Sequence, residues 1–160
     1  MEGVDWMRLR EFVKTDIALF RRWLYLPHVA KWYHEPQDWL VEVEDVKGEF
    51  VWIKHYIVEE EDKAIGFCQY YEYCKSGENW HGTMEVRGTY SIDYMIGEAD
   101  YLMKGFGKQI IQELIKKIKE EDGAQYIIVA PEQENQASCR TLLSSGFVYN
   151  QNDEIYIMEL

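Results

Sequence analysis

The chain of 160 residues carries a net charge of −12, from 29 acidic against 17 basic side chains, and 47% of its residues are hydrophobic. This hydrophobic content excludes a disordered chain, and the negative charge argues against nucleic acid, because binding to phosphates needs Lys and Arg. No apolar run approaches the roughly 18 residues that a membrane helix needs, and residues 1–12 lack the apolar segment of a secretory signal. We therefore expect one globular domain over residues 1–160, located in the cytoplasm.

The first part of the chain reads as a strand followed by a helix. Residues 5–12 alternate in the manner of a strand, and an apolar spacing near 3.6 begins after Thr15, which is a candidate N-cap. Pro27 ends that helix. The next segment carries Trp32 and Tyr33 between prolines, which predicts a loop or short helix that either lines a ligand site or plugs the core.

The middle of the chain predicts three strands. Residues 49–59 are rich in β-branched and aromatic side chains, and residues 64–74 return as a partner strand after an acidic, solvated turn at 59–63. A polar loop over residues 76–87 precedes the next strand at 88–97.

The last part of the chain alternates helices with strands. Residues 106–122 form a strongly amphipathic helix that Gly123 is placed to end, and residues 125–131 read as a buried strand. A helix over 135–145 and two final strands follow. The predicted order β-α-α-β-β-β-α-β-α-β-β is a mixed α/β fold.

The segment KGFGK at residues 104–108 fails two nucleotide-binding patterns. A P-loop needs Ser or Thr after Gly107 and Lys108, where this chain has Gln109. A dinucleotide fingerprint needs a third glycine, where this chain has Ile110.

The same segment still predicts an anion site. Gly105 and Gly107 stand at the start of a helix, where free N–H groups and the helix dipole favour negative charge. Lys104 and Lys108 add positive charge. A plain glycine turn with solvated lysines is the alternative.

Two segments resemble the GNAT superfamily of N-acetyltransferases. Residues 102–107 resemble its pyrophosphate loop, Q/R-x-x-G-x-G/A, with Leu102 in place of the first polar residue. The segment ENQASCRTLLSSGF is similar to the family pattern N-x-x-A-x-x-x-Y-x-x-x-G-F. Asn135 is in register there, whereas Ser138 and Leu142 replace the usual Ala and Tyr.

A narrower resemblance is to the aminoglycoside 6′-N-acetyltransferases. The strand YSIDYMIGE resembles their Y-G-I/M-D-Q/L-F/L-I-G-E, and LPHVAKWYHE resembles their R-P-H-I/V-x-x-W/F-W/Y. Some siderophore-pathway acyltransferases share these segments. The resemblance implies a single-domain GNAT-like α/β fold, with a mixed, mostly antiparallel sheet of about seven strands flanked by about four helices and splayed between strands 4 and 5.

The resemblance also implies acetyl-CoA as co-substrate. Backbone N–H groups of residues 103–108 would hold its pyrophosphate, and the strand edge at 94–97 would pair with the pantetheine arm. The N–H of Met95 or Ile96 would polarise the thioester carbonyl. The implied cofactor-binding residues are Tyr94, Met95, Ile96, Gly97, Met103, Lys104, Gly105, Phe106, Gly107, Lys108, Asn135 and Arg140.

Asp93 matches the family aspartate that faces the substrate amine. It would act as a base, given a raised pKa or a relay water, whereas an ordinary strand aspartate faces solvent. The residue that protonates the departing thiolate is left open, because Leu142 stands at the usual Tyr position; Tyr101 or water are the candidates.

A cationic substrate would need carboxylates and aromatic faces around its amine. The net charge of −12 would then steer that cation to the cleft, although solubility alone also explains an acidic surface. Each side chain in the predicted substrate site is also compatible with an ordinary surface role. The predicted substrate-binding residues are Trp32, Tyr33, Glu72, Glu78, Glu85 and Asp93.

Cysteine and histidine spacing predicts no metal site. The cysteines are odd in number and lack paired spacing, so we expect reduced thiols packed as small hydrophobes, with a redox or nucleophilic role as the alternative. The residues are Cys68, Cys74, Cys139, His28, His34, His55 and His81.

The sequence therefore predicts an acetyl-CoA-dependent N-acetyltransferase, monomeric or homodimeric, that acts by direct attack of a primary amine in a ternary complex. An aminoglycoside 6′-amino group is the favoured acceptor. The alternatives are acylation of another amine, such as a siderophore precursor or a protein N-terminus, and an acyl-CoA-binding module without turnover.

Overall fold

The computed structural model describes residues 7–160 and contains one sheet. Its order is β1-β2-β3-β4-β5-β7-β6, and every neighbouring pair is antiparallel except β4 and β5. The strands are β1 (Arg8–Glu11), β2 (Ile53–Glu60), β3 (Lys63–Glu72), β4 (Thr89–Ile96), β5 (Tyr126–Val129), β6 (Val148–Asn150) and β7 (Ile155–Glu159).

Helices cover both faces of this sheet and bury a separate apolar cluster on each. On one face, α1, α2 and α3 pack against residues such as Phe67 and Met95. On the other face, α4 and α5 pack against residues such as Tyr90 and Ile92. The helices are α1 (Ile17–Leu24), α2 (Pro27–Ala30), α3 (Pro36–Glu44), α4 (Phe106–Lys119) and α5 (Gln136–Ser144). The predicted mixed sheet with helices on both faces is confirmed.

Several predicted ends were wrong, and the sequence predicted two helices before β2 where the structure has three. Thr15 does not cap α1, which begins at Ile17 after a short 3₁₀ turn with Asp16 as the residue before it. Strand β2 begins at Ile53, not at residue 49, because the Asp45 carboxylate accepts the Glu49 N–H in a turn. The aromatic residues of that turn have the composition of a strand without its hydrogen bonding. Residues 5 and 6 of the predicted first strand lie outside the described part.

The acidic run after β2 is only partly a solvated turn. Glu61 and Asp62 form the hairpin turn with positive φ angles of 49° and 66°. Glu59 is instead buried and accepts hydrogen bonds from Arg8 at 2.9 Å and Arg10 at 2.7 Å. These contacts fasten β1 to β2.

The sheet opens between β4 and β5. Backbone pairing joins these strands at Thr89 with Tyr126 and at Tyr90 with Ile127. The Ser91 hydroxyl then donates to the Ile128 carbonyl at 2.7 Å. Beyond this point β4 continues to Ile96 without register to β5, so a gap, called the β4–β5 gap below, separates the rest of β4 from β5.

Within residues 7–160, no helix combines the length and the apolar character needed to cross a membrane.

Candidate active site

Strand β4 directs alternate side chains to opposite faces of the sheet, as a strand must. Tyr94 and Ile96 pack with the α4 and α5 side, whereas Met95 packs with the α1–α3 side. Asp93 therefore lies on the α1–α3 side. The backbone alternates too: the Gly97 N–H bonds to β3, so the amide and carbonyl groups of Tyr94 and Ile96 face the β4–β5 gap.

Asp93 is half-buried and is held by a chain of side chains from the neighbouring strands. The Gln69 amide donates to its carboxylate at 2.9 Å, and the Gln69 carbonyl oxygen lies 2.8 Å from His55 Nδ1, which donates to it. Burial raises the pKa of Asp93 to about 6, the hydrogen bond from Gln69 opposes this, and the charge of Glu78 adds to it. Asp93 is therefore a carboxylate able to exchange a proton near neutral pH.

Further carboxylates surround Asp93 on the same face. Burial raises the pKa of Glu42, on α3, to about 7, with smaller contributions from the charges of Asp93, Glu78 and Asp38. Glu78 itself accepts a hydrogen bond from the Tyr71 phenol at 3.0 Å. The result is a concentration of negative charge on the α1–α3 side, which suits a ligand with several positive charges. We call Asp38, Glu42, Glu78 and Asp93 the acidic cluster.

The predicted substrate residues do not all meet at this cluster. Glu78 belongs to it. Glu72 pairs with Tyr90 across the strands and influences the Tyr90 phenol, which places it on the opposite face of the sheet from Asp93. Glu85 is exposed at the other end of β4, where its carboxylate accepts the Arg87 N–H.

The two predicted aromatic residues differ as well. Trp32 is partly exposed beneath the Lys31 ammonium, 5.0 Å from its ring. Tyr33 reaches the β4–β5 gap, where its hydroxyl accepts the Tyr94 N–H at 3.0 Å and donates to the Tyr94 carbonyl. Tyr33 therefore sits on the strand edge that the sequence assigned to pantetheine.

The segment of residues 28–34 bridges the gap on the α1–α3 side. His28 Nε2 donates to the Ile96 carbonyl at 3.0 Å. His34 Nε2 lies 2.8 Å from the carboxylate of Glu132, which follows β5. With Tyr33, these contacts tie the segment to both sides of the opening.

The predicted anion loop has the geometry of an anion site. Met103 and Gly105 have positive φ angles of 60° and 86°, and the first helical bond of α4 runs from the Gln109 N–H to the Gly105 carbonyl. The amides of residues 106–108 stand at the start of a 14-residue helix, where no helical acceptor precedes them. Lys104 and Lys108 are exposed beside them. The donor set fits a phosphate.

The residues predicted near α5 have mixed placements. Asn135 is the N-cap of α5 and accepts the Ser138 N–H at 3.2 Å, which gives it a structural role. Arg140 is exposed, and within residues 7–160 it forms no ion pair with a carboxylate. Leu142 is fully buried, and the Tyr101 ring packs 5.8 Å from Phe106.

Sequence reasoning missed Glu42, Gln69 and His55. Asp38 and Glu42 are four residues apart, so they share one face of a helix, and that spacing was the available signal. Gln69 is opposite Asp93 only because of the β3–β4 register, which has no local signature. In residues 7–160, no group of three or more His, Cys, Asp or Glu side chains is arranged to hold a metal ion.

The sheet opens between β4 and β5, the start of α4 supplies free amides, and β4 carries a titratable carboxylate. This arrangement suits a ligand that joins an anionic group to an extended, strand-like arm. The model of the acetyltransferase (GNAT) domain matches residues 13–154. The chain belongs to this family and is an N-acetyltransferase, as the sequence predicted.

Known relatives agree with this assignment. Aminoglycoside N(6′)-acetyltransferases type 1 of Klebsiella pneumoniae and of Serratia marcescens are each 25% identical to this chain over 149 residues, covering 89% of this chain and 74% of the relative. A structure of the aminoglycoside acetyltransferase AAC(6′)-Ib with coenzyme A matches with a TM-score of 0.81 and 21% identity, covering 96% of this chain and 94% of the other. The same enzyme with coenzyme A and kanamycin matches at 22% identity, covering 96% and 94%, with a TM-score of 0.79. The predicted fold is confirmed.

Proposed function

We propose that this N-acetyltransferase moves the acetyl group of acetyl-CoA to a primary amine of a cationic small molecule, with an aminoglycoside 6′-amino group as the favoured acceptor. The observation that carries the proposal is Asp93, a carboxylate with a pKa of about 6 at the open edge of β4 and within a cluster of further carboxylates. The relatives named as aminoglycoside N(6′)-acetyltransferases support the choice of acceptor.

Acetyl-CoA fits the α4 end of the site. Its pyrophosphate would bind the amides of residues 106–108, with Gly105 and Met103 turning the backbone toward it and Lys104 and Lys108 adding charge. Its arm would extend along the gap-facing edge of β4 in the manner of an added strand. In that complex the arm takes the Tyr94 groups that Tyr33 holds in this structure.

The same alternation narrows the donor for the thioester oxygen. The Met95 amide points toward β3, whereas the Ile96 amide points into the gap. Of the two residues named from the sequence, Ile96 is therefore the one we assign to stabilise the developing oxyanion.

On the other side, the acidic cluster would bind the acceptor as an ammonium. An ammonium has no lone pair, so one proton must leave before attack, and Asp93 can accept it at neutral pH. After Asp93 has passed this proton to solvent, the amine nitrogen bonds to the thioester carbon and gives a second proton to Asp93, the C–S bond breaks, and the electron pair departs on sulfur.

Release of CoA thiol from acetyl-CoA, with and without added amines, tests this proposal. We expect kanamycin-type aminoglycosides to stimulate release, and variants of the acceptor that lack the 6′-amino group not to do so. Asp93→Asn should lower the stimulated rate by at least about tenfold, whereas Glu120→Gln, which removes an exposed carboxylate at the end of α4, should leave it unchanged. If acetyl-CoA binds tightly but no amine stimulates release of the CoA thiol, the result would instead support an acyl-CoA-binding module without turnover.

A further inference from the structure

We propose that the Tyr94 phenol stabilises the CoA thiolate as it departs, by donating a hydrogen bond to the sulfur, and that Ser138 positions this phenol. The inference rests on the proposed function, because it concerns the leaving group of that same reaction.

The first observation is that Asp93 and Tyr94 are consecutive on β4 and point to opposite faces of the sheet. Asp93 lies on the α1–α3 side with the acidic cluster, and Tyr94 lies on the α4 and α5 side. A thioester held along the edge of β4 between them has a carboxylate on one side and a phenol on the other. Attack on a carbonyl brings the nucleophile and the leaving group to the same carbon from different directions, so the two side chains can serve the two partners separately.

The second observation fixes which side belongs to the sulfur. The phosphate-binding amides belong to α4, so the arm of acetyl-CoA approaches from the α4 and α5 side. The α1–α3 side of the gap carries the acidic cluster, which is assigned to the acceptor amine, so the sulfur and the rest of CoA lie on the opposite side. The C–S bond therefore leads back toward the face that carries Tyr94.

The third observation is a bond that holds the phenol in place. The Tyr94 hydroxyl oxygen lies 2.7 Å from Ser138 Oγ, which links β4 to α5 across the mouth of the gap. When the Ser138 hydroxyl donates to the phenol oxygen, the phenol proton is free to point into the gap. The Tyr101 ring, by contrast, packs against Phe106 and the Lys104 ammonium.

This arrangement matters because α5 has Leu142 at the position where the family pattern has a tyrosine. Leu142 is one turn beyond Ser138 on the same face of α5, is fully buried, and has no proton to donate. A donor to the sulfur must then come from another element, and Tyr94 reaches α5 from β4. Burial also raises the pKa of Tyr94 to about 12, so the phenol stays protonated throughout the working pH range.

The step balances without any further reactant. Before attack Asp93 takes the first proton of the ammonium and passes it to solvent. The amine nitrogen then forms the C–N bond and gives a second proton to Asp93, while the C–S bond breaks and its electron pair stays on sulfur. The thiolate leaves while it accepts the Tyr94 O–H hydrogen bond, and it takes a proton from solvent after release. Asp93 returns its proton to solvent, and Tyr94 is unchanged.

The decisive experiment compares wild type with Tyr94→Phe, which removes only the hydroxyl. We expect kcat to fall by about tenfold or more, with little change in the KM for acetyl-CoA, because the donor acts on charge that develops in the transition state. Tyr149→Phe removes a phenol from β6, where its contact is with Gln133, and should keep wild-type kcat.

A second measurement does not depend on turnover. The pKa of the thiol of bound CoA, followed by the ultraviolet absorbance of the thiolate, should be lower in wild type than in Tyr94→Phe by about one unit, equivalent to a tenfold effect on ionisation. Ser138→Ala should shift this thiol pKa in the same direction by less. A kcat loss without any shift of the thiol pKa would assign Tyr94 to packing and overturn the proposal, as would an unchanged kcat.

These measurements separate the two proposals. If no amine stimulates CoA release by wild type, the proposed function fails, and the thiol pKa of bound CoA still decides whether Tyr94 contacts the sulfur. If amines stimulate release equally in wild type and Tyr94→Phe, only the role of Tyr94 falls.

Discussion

Gln69 and Asp93 occupy paired positions on β3 and β4, and the Gln69 amide donates to the Asp93 carboxylate at 2.9 Å. This bond stabilises the ionised form of Asp93 and opposes the effect of burial on its pKa. Gln69→Met keeps the volume and removes the donor. We expect the Asp93 pKa to rise, so the acidic limb of the pH dependence of kcat/KM should move to higher pH.

The same variant leaves the His55 Nδ1–H without its acceptor, so the free energy of unfolding should fall by roughly 1–3 kcal/mol. A pH profile identical to that of wild type would contradict the prediction and would remove Gln69 from control of Asp93.

The raised pKa of Asp93 predicts opposite pH dependences for activity and for stability. Activity should rise with pH through about 6 as Asp93 ionises, and Asp93→Asn should lack this limb. The free energy of unfolding should change in the opposite direction and fall as the pH rises. Between about pH 4 and pH 6 the unfolded chain releases this proton before the folded protein does, so the charged form costs folding free energy above pH 6.

Asp93→Asn should therefore raise the free energy of unfolding at pH 7.5, by up to about 3 kcal/mol, and should have no such effect at pH 4. Chemical denaturation at the two pH values checks this. If Asp93→Asn is less stable than wild type at pH 7.5, burial of the ionised carboxylate does not cost folding free energy, and the prediction is wrong.

Local patterns were sufficient to predict most elements of the fold. The apolar spacing that begins at Phe106 predicted α4, and the continuous apolar run predicted β5, since both signals come from neighbours in sequence. The start of β2 was wrong, because the Asp45 carboxylate binds the turn at Glu49 and aromatic composition does not report such a contact.

The site divides in the same way. Asp93 and the glycine loop belong to continuous segments with a recognisable pattern, so the sequence identified them. Glu42 and Gln69 are near Asp93 only through the docking of α3 and the register of β3. Contacts of this kind join segments far apart in the chain, and one sequence alone carries no local mark of them.

The proposed phosphate site at the start of α4 predicts that a negative charge at Gly107 weakens CoA binding more than an uncharged side chain of the same size. A Cβ atom at Gly107 would meet only the Thr141 methyl, at 3.5 Å, and Gly107 lacks a positive φ, so the backbone of α4 tolerates a side chain there. Gly107→Asp places a carboxylate beside the proposed phosphates and should weaken CoA binding more than its neutral counterpart Gly107→Asn, by at least about tenfold.

Isothermal titration with CoA measures both affinities, and raised salt should narrow the difference. Equal affinities of the Asp and Asn variants would exclude the start of α4 from phosphate binding. An acidic residue in the first turn interacts favourably with the helix dipole, so Gly107→Asp should leave α4 folded. A loss of CoA binding would therefore not be explained by loss of the helix.

Gly97, which directly follows β4, lies against the Trp23 side chain of α1. A Cβ atom at this position would lie 2.1 Å from the Trp23 ring, which is fully buried and whose Nε1 donates to Glu98 at 2.8 Å. Gly97→Ala should lower the free energy of unfolding by roughly 1–3 kcal/mol, because the ring has no free space to enter. Denaturant unfolding measures the change, with Gly107→Ala as the control that adds the same methyl group without a clash.

Because Gly97 follows directly on the gap-facing Ile96, displacement of Trp23 should also shift the end of β4. We therefore expect Gly97→Ala to weaken acetyl-CoA binding as well, whereas a variant with wild-type stability and affinity would show that α1 yields to the added methyl group.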